Sequence, residues 1–178
     1  MLNKFLTLED EFFRIAGDIS GRFFVGAISN QCAADLSALG IGSSELAYRL
    51  AEVRVHNGFE STVPLYELLR PGSAEYEEAV RREGLAVGHS FTARGNTAAM
   101  ASVNSADIWL SPFLIRAGKW AGNAALLVHE TIHTLNRDDR QIQAGLWGAG
   151  SSEVGAASEN ITRRLQQNCF QGYSGPPQ

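Results

Sequence analysis

His129, Glu130 and His133 stand in the order His-Glu-x-x-His, inside the run Leu127-Val128-His129-Glu130-Thr131-Ile132-His133-Thr134. Residues four apart on an α-helix share one face, one turn apart. Two imidazoles so placed reach a single metal ion, and zinc is the ion this pattern suits. Glu130 sits one position on and points to the flank of that face. There its carboxylate reaches a water at the ion rather than the ion itself, the position of a general base. Zinc brings the pKa of such a water to about 7, where a carboxylate can take its proton. The chain has four histidines, His56, His89, His129 and His133, so two of them bracketing a glutamate at this spacing is not a composition effect.

The chemistry requires a helix, and residues 118–136 supply one. They contain no proline and only one internal glycine, Gly122. Trp120, Ala124, Leu127, Val128, Thr131 and Leu135 repeat at helical spacing, on the face opposite the histidines. One face is expected to enter a core and the histidine face to line a cleft.

A third ligand must come from elsewhere. Asp139 lies six residues beyond His133, giving His129-Glu130-x-x-His133-x-x-Asn136-x-x-Asp139. This resembles the extended motif of the metzincin branch of zincin metallopeptidases, H-E-x-x-H-x-x-G-x-x-H, with D in the last place in some members. The motif's glycine lets the helix end in a left-handed turn. Asn136 holds that place here, and asparagine is the next most tolerant residue of that conformation. No methionine comes after the motif, so the branch's Met-turn is missing. Glu153 and Glu159 are rivals. In the thermolysin-like branch a glutamate from a second helix completes the site, usually with an aspartate one turn later. Ala157 and Arg163 hold those later places here. Asp138 also stays open. His89 and Tyr173 are candidates for stabilising an oxyanion.

The last third of the chain loosely resembles uncharacterised bacterial domains at the C-terminus of RHS-type repeat proteins. The resemblance rests on the zinc motif with Asp139-x-x-Ile142-Gln143, Asn160-Ile161-Thr162 and Asn168-Cys169-Phe170. It implies a delivered or surface-associated peptidase domain.

Composition bounds the alternatives. The chain has 178 residues, 44% hydrophobic and 19% charged, enough for one cored domain. Its net charge is −4 and it has no basic run, which argues against nucleic acid. No apolar run approaches the ~20 residues of a membrane span. The start turns acidic at Glu9-Asp10-Glu11, too soon for a secretory signal. The expectation is a cytoplasmic protein, one exported by another route, or a domain of a larger chain. Cys32 and Cys169 lack metal-ligand spacing. They either pair in an oxidising compartment or stay as separate thiols.

Along the chain, residues 7–19 read as a helix capped by Thr7 with Asp10 reciprocating, and 21–26 as a link. Residues 30–39 and 43–56 read as two more helices, the first ended by Gly40, with an Asn57-Gly58 turn after the second. Residues 59–69 are ambiguous, and 74–83 read as a polar helix. Strands are expected at 85–93 and 97–103, joined by Arg94-Gly95-Asn96, and at 106–112. Residues 104–110 are the candidate edge strand for binding a substrate chain by strand addition. Residues 139–146 read as a short helix or turn, 148–155 as a mobile glycine-rich link, and 159–167 as a last helix capped by Ser158 with Ile161 and Leu165 inward. Residues 172–178 read as a disordered tail after a single domain over 1–171.

The expectation is an α+β fold, mainly helical, with a small mixed or antiparallel sheet and the active-site helix packed under it, in a zincin-like layout. The function expected is zinc-dependent hydrolysis of a peptide or protein substrate, with His129, His133 and Asp139 on Zn2+ and Glu130 as the base. A non-peptidase zinc hydrolase and a catalytically inactive zinc-binding interaction module are the alternatives. Oligomeric state is not legible.

Overall fold

The computed structural model describes residues 7–56, 99–101, 106–110 and 115–178. The expected elements at 59–69, 74–83 and 85–93, the turns at Asn57-Gly58 and Arg94-Gly95-Asn96, and His89 lie outside them. Among the described residues there are six helices and one three-stranded sheet, a mainly helical α+β architecture.

Helix α1 (Leu8–Phe24) begins in a capping box. The Thr7 hydroxyl accepts from the Asp10 amide, and the Asp10 carboxylate accepts from the Thr7 amide. The helix runs five residues past its expected end, through Gly21. A single glycine costs a helix about 1 kcal/mol relative to alanine. Burial of Phe12, Ile15, Ile19 and Phe23 outweighs that, at roughly 1.5–3 kcal/mol for each large apolar side chain.

Helix α2 (Asn30–Ala38) is capped by Ser29, and the chain leaves it through Gly40 at φ +67°. Helix α3 (Ser43–Glu52) starts after Gly42 and buries Leu46, Ala47 and Leu50. It stops short of the expected end at 56. Val53 turns extended and strand β1 (Arg54–His56) begins. The Arg54 amide donates to the Ala106 carbonyl at 2.7 Å, and its guanidinium makes paired 2.8 and 2.7 Å bonds to Asp107. Those bonds take the place of the helix's last turn.

Strands β2 (Ala99–Ala101) and β3 (Asp107–Leu110) complete the sheet in the order β1-β3-β2. β1 runs parallel to β3 and β2 antiparallel, so the sheet is mixed. This corrects the edge-strand expectation for 104–110. β3 is the middle strand, with Asp107, Ile108, Trp109 and Leu110 all buried. Continuous burial without alternation is the mark of a strand covered on both faces, and its backbone is engaged on both sides.

Helices α4 (Trp120–Thr134), α5 (Asp139–Trp147) and α6 (Glu159–Cys169) make up the rest. α4 is the central element. It packs against α6, α1, α3 and both β2 and β3. From Asn123 to Thr134 every residue except Leu126 is buried. Its start is held from α1, where buried Glu11 accepts from the Gly118 amide and from Asn123 Nδ2.

The segment after α5 is a chain of hydrogen-bonded turns, not the mobile link its glycines predict. The Gly155 amide donates to Gln143 Oε1 at 2.8 Å, and Asn160 Nδ2 donates to Glu153 Oε2 at 2.7 Å. Cys32 and Cys169 form a disulfide joining α2 to the end of α6. The same two helices share a buried charge pair, with Arg164 and Asn168 both donating to Asp35. The tail from 172 is anchored at two points, against the expectation of disorder. The Tyr173 hydroxyl donates to Asp18 at 2.8 Å, and Gly175 lies so close to the Trp120 ring that a Cβ there would sit 2.8 Å from it.

Candidate metal centre

α4 places His129 and His133 one turn apart on the same side, with ring centroids 4.7 Å apart. Helical geometry alone puts them there. The turn after α4 decides the third group. Leu135 closes the helix, and Asn136 takes φ +65°, the only positive φ among the described residues other than glycine. That residue reverses the chain. Asp138 then caps α5, its carboxylate accepting from the Gln141 amide at 2.8 Å. Asp139 becomes the first residue of α5, directed back at the histidines.

The result is a convergence of three atoms. Asp139 Oδ1 lies 3.0 Å from His129 Nε2 and 3.0 Å from His133 Nε2. Glu130 completes the cluster, since His129, Glu130 and His133 each offer a ligand atom within 4.8 Å of the others, a group that could hold a metal ion.

The outer ring nitrogens are held too. His133 Nδ1 is 2.6 Å from the Arg137 carbonyl, and His129 Nδ1 is 2.8 Å from Thr162 Oγ1 on α6. A carbonyl only accepts, so His133 Nδ1 carries a proton. Neutral His133 therefore turns the Nε2 lone pair toward a carboxylate oxygen. Two electron-rich atoms in contact need a cation between them, either a proton or a metal. Ligand atoms about 2.0–2.1 Å from a tetrahedral zinc stand about 3.3 Å apart, so the 3.0 Å spacings need to open only slightly. Outward hydrogen bonds on both histidines are the usual support of imidazole ligands.

The electrostatics agree with a site that attracts a cation. Burial alone would push the His133 ring down. The hydrogen bond to Asp139, the charges of Glu130 and Asp139 and the Arg137 carbonyl outweigh it and raise it to about 9. Burial likewise works against the Asp139 carboxylate, yet hydrogen bonds from both histidines and their charge hold it well below the usual range. Burial pushes the Glu130 carboxyl up, and the two histidines only partly offset this. A raised carboxyl suits a group that must take up a proton and release it.

The histidine face does not line an open cleft as expected. His129, Glu130 and His133 are 3%, 6% and 4% exposed, and α6 lies over the His129 side. The rival ligands are engaged elsewhere. Glu153 accepts from Asn160, and Glu159 pairs with Arg163 at the surface. Asp138 is a helix cap. Tyr173, with its hydroxyl on Asp18, sits against Arg22 and Phe170. Thr162 was not legible as part of the site. It lies 33 residues beyond His129 and belongs to no metal motif, and its place in Asn160-Ile161-Thr162 gives no sign of a contact with His129. No family model matches the chain, and no curated protein or solved structure does either.

Proposed function

We propose that this chain is a zinc-dependent hydrolase of peptide bonds in a zincin-like layout, with His129, His133 and Asp139 as the metal ligands and Glu130 as the general base. One observation carries the reading: a single carboxylate oxygen 3.0 Å from two Nε2 atoms whose rings are fixed from behind. Three protein ligands of this kind leave a fourth position for water, the arrangement of catalytic rather than structural zinc. Zinc bound there would acidify a water and polarise a peptide carbonyl. Glu130 would accept the proton of the attacking water and deliver it to the leaving nitrogen. Its raised carboxyl favours both transfers. A peptide or protein substrate is the class this chemistry serves. The net charge of −4 gives no support to a nucleic-acid partner, and no described helix is long and apolar enough to cross a membrane. The Cys32–Cys169 disulfide supports folding in an oxidising compartment.

The burial of Glu130 favours a second reading, a zinc-holding interaction module without catalysis. The two separate on one experiment. Zinc-loaded protein is incubated with an unfolded protein, and new amino termini are counted. Cleavage that a chelator abolishes is expected. So is a Glu130→Gln variant that keeps its zinc and loses activity by roughly 10²–10⁴-fold. A zinc-loaded wild type that releases no new termini would contradict the peptidase reading and favour the module.

A further inference from the structure

The two histidines are supported from behind by chemically different groups. His133 Nδ1 faces a backbone carbonyl, which only accepts. His129 Nδ1 faces the Thr162 hydroxyl, which can accept or donate. We propose that Thr162 is a positioning residue that reverses its hydrogen bond when the site is loaded, so that His129 moves its one proton from Nε2 to Nδ1 and ligates through Nε2. This deepens the zinc reading above and rests on it.

Without metal His129 Nε2 faces the acceptor Asp139 Oδ1 at 3.0 Å and so is the donor, which leaves the Thr162 hydroxyl, 2.8 Å from Nδ1, to donate there. With metal the Nε2 lone pair is needed for the ion. The ring proton then sits on Nδ1, and Thr162 Oγ1 accepts it at the same 2.8 Å spacing. No side chain has to move far. His133 has no such freedom, because its Nδ1 is a donor in either state. The two ligands therefore respond to loading differently, and the difference lies wholly in what stands behind each ring.

Thr162 is well placed to do this reproducibly. Its helix, α6, is fastened to α2 by the Cys32–Cys169 disulfide and by Arg164 and Asn168 on Asp35. Ile161 and Leu165 on either side of it are fully buried. The hydroxyl is presented from a rigid element, as a group that orients a ligand should be.

The test uses the whole chain labelled with ¹⁵N histidine. The nitrogen resonances of His129 are read without metal and with one equivalent of zinc, and zinc affinity is measured by competition with a chelator. The expected result is an Nε2–H tautomer without metal and an Nδ1–H tautomer with zinc. Thr162→Val should weaken zinc by roughly 10–100-fold, while Thr162→Ser, which keeps the hydroxyl, binds as wild type does. Zinc bound with the same His129 tautomer in both states, or unchanged affinity in Thr162→Val, would overturn the inference and leave the metal centre standing. A wild type that binds no zinc would overturn both.

Discussion

Asp139 and His133 come from different helices, yet the Asp139 carboxylate oxygen stands 3.0 Å from His133 Nε2. In the metal-free protein a proton on His133 must satisfy that contact, which makes stability depend on pH. The His133 ring is raised from 6.5 to about 9 in the folded state. A raised group stabilises the fold fully below its unfolded value and loses that contribution as pH rises through the folded one. Asp139 is lowered from 3.8, so its contribution is present above about pH 4 and is lost as pH falls. Burial raises Glu130 as well, so its contribution is lost as pH rises above its ordinary value of 4.5. Chelator-treated protein should therefore be most stable near pH 4–5, and its Tm should fall from there to about pH 9. Zinc bound at the proposed site would displace the His133 proton, so its affinity should rise about tenfold per pH unit from about 6.5 to 9 and then level off. Melting curves and zinc titrations at pH 6, 7, 8 and 9 check both trends. A Tm that stays flat from 6.5 to 9 would contradict the proton-bridged contact.

Asn136 makes that contact possible by its backbone. At φ +65° an ordinary L-residue is strained by about 1–2 kcal/mol. Asn136→Gly should keep both stability and zinc affinity close to wild type. Asn136→Ala should lower stability by about 1 kcal/mol and weaken zinc, because the strained turn presents Asp139 less well. Urea denaturation with zinc titration reads both. An alanine variant that matched wild type in both would show that the turn does not position the ligand.

Glu11 holds the other end of α4. It is 3% exposed and accepts at 2.9 and 3.0 Å from Gly118 N and at 3.0 Å from Asn123 Nδ2. Glu11→Ala takes this acceptor from the Gly118 amide and from buried Asn123 Nδ2, which keeps its bond to the Arg116 carbonyl, at a cost of about 1 kcal/mol. Glu11→Gln keeps one accepting oxygen and should cost less. Equal stability of Glu11→Ala and wild type in urea would mean that water replaces the carboxylate and that α4 needs no anchor from α1.

The parts of this architecture that are legible in the sequence are those written locally. The capping box at Thr7 and Asp10, the helical spacing of His129 and His133, and the left-handed tolerance of Asn136 each depend on neighbours within a few residues. Asp139 can be placed for the same reason, since only a turn separates it from the helix. Length and pairing are harder to see. α1 continues through Gly21 because Phe23 finds a core, a tertiary gain that outweighs local propensity. The order β1-β3-β2 depends on Arg54 meeting Asp107 across 53 residues, and no local pattern announces it. Thr162 joins the site the same way, through the packing of α6 on α4. The burial of the histidine face is not legible either, because one helix's periodicity says which face is polar and not what covers it.

A single metal ion shared by His129, His133 and Asp139 underlies the proposed chemistry. The decisive measurement is the metal content of the purified protein, wild type beside His133→Ala and Asp139→Ala. About one zinc per wild-type chain is expected, lost from both variants while each remains folded by circular dichroism. Zinc retained by Asp139→Ala would contradict Asp139 as the third ligand. No zinc in the wild type, even after reconstitution, would contradict the metal centre itself.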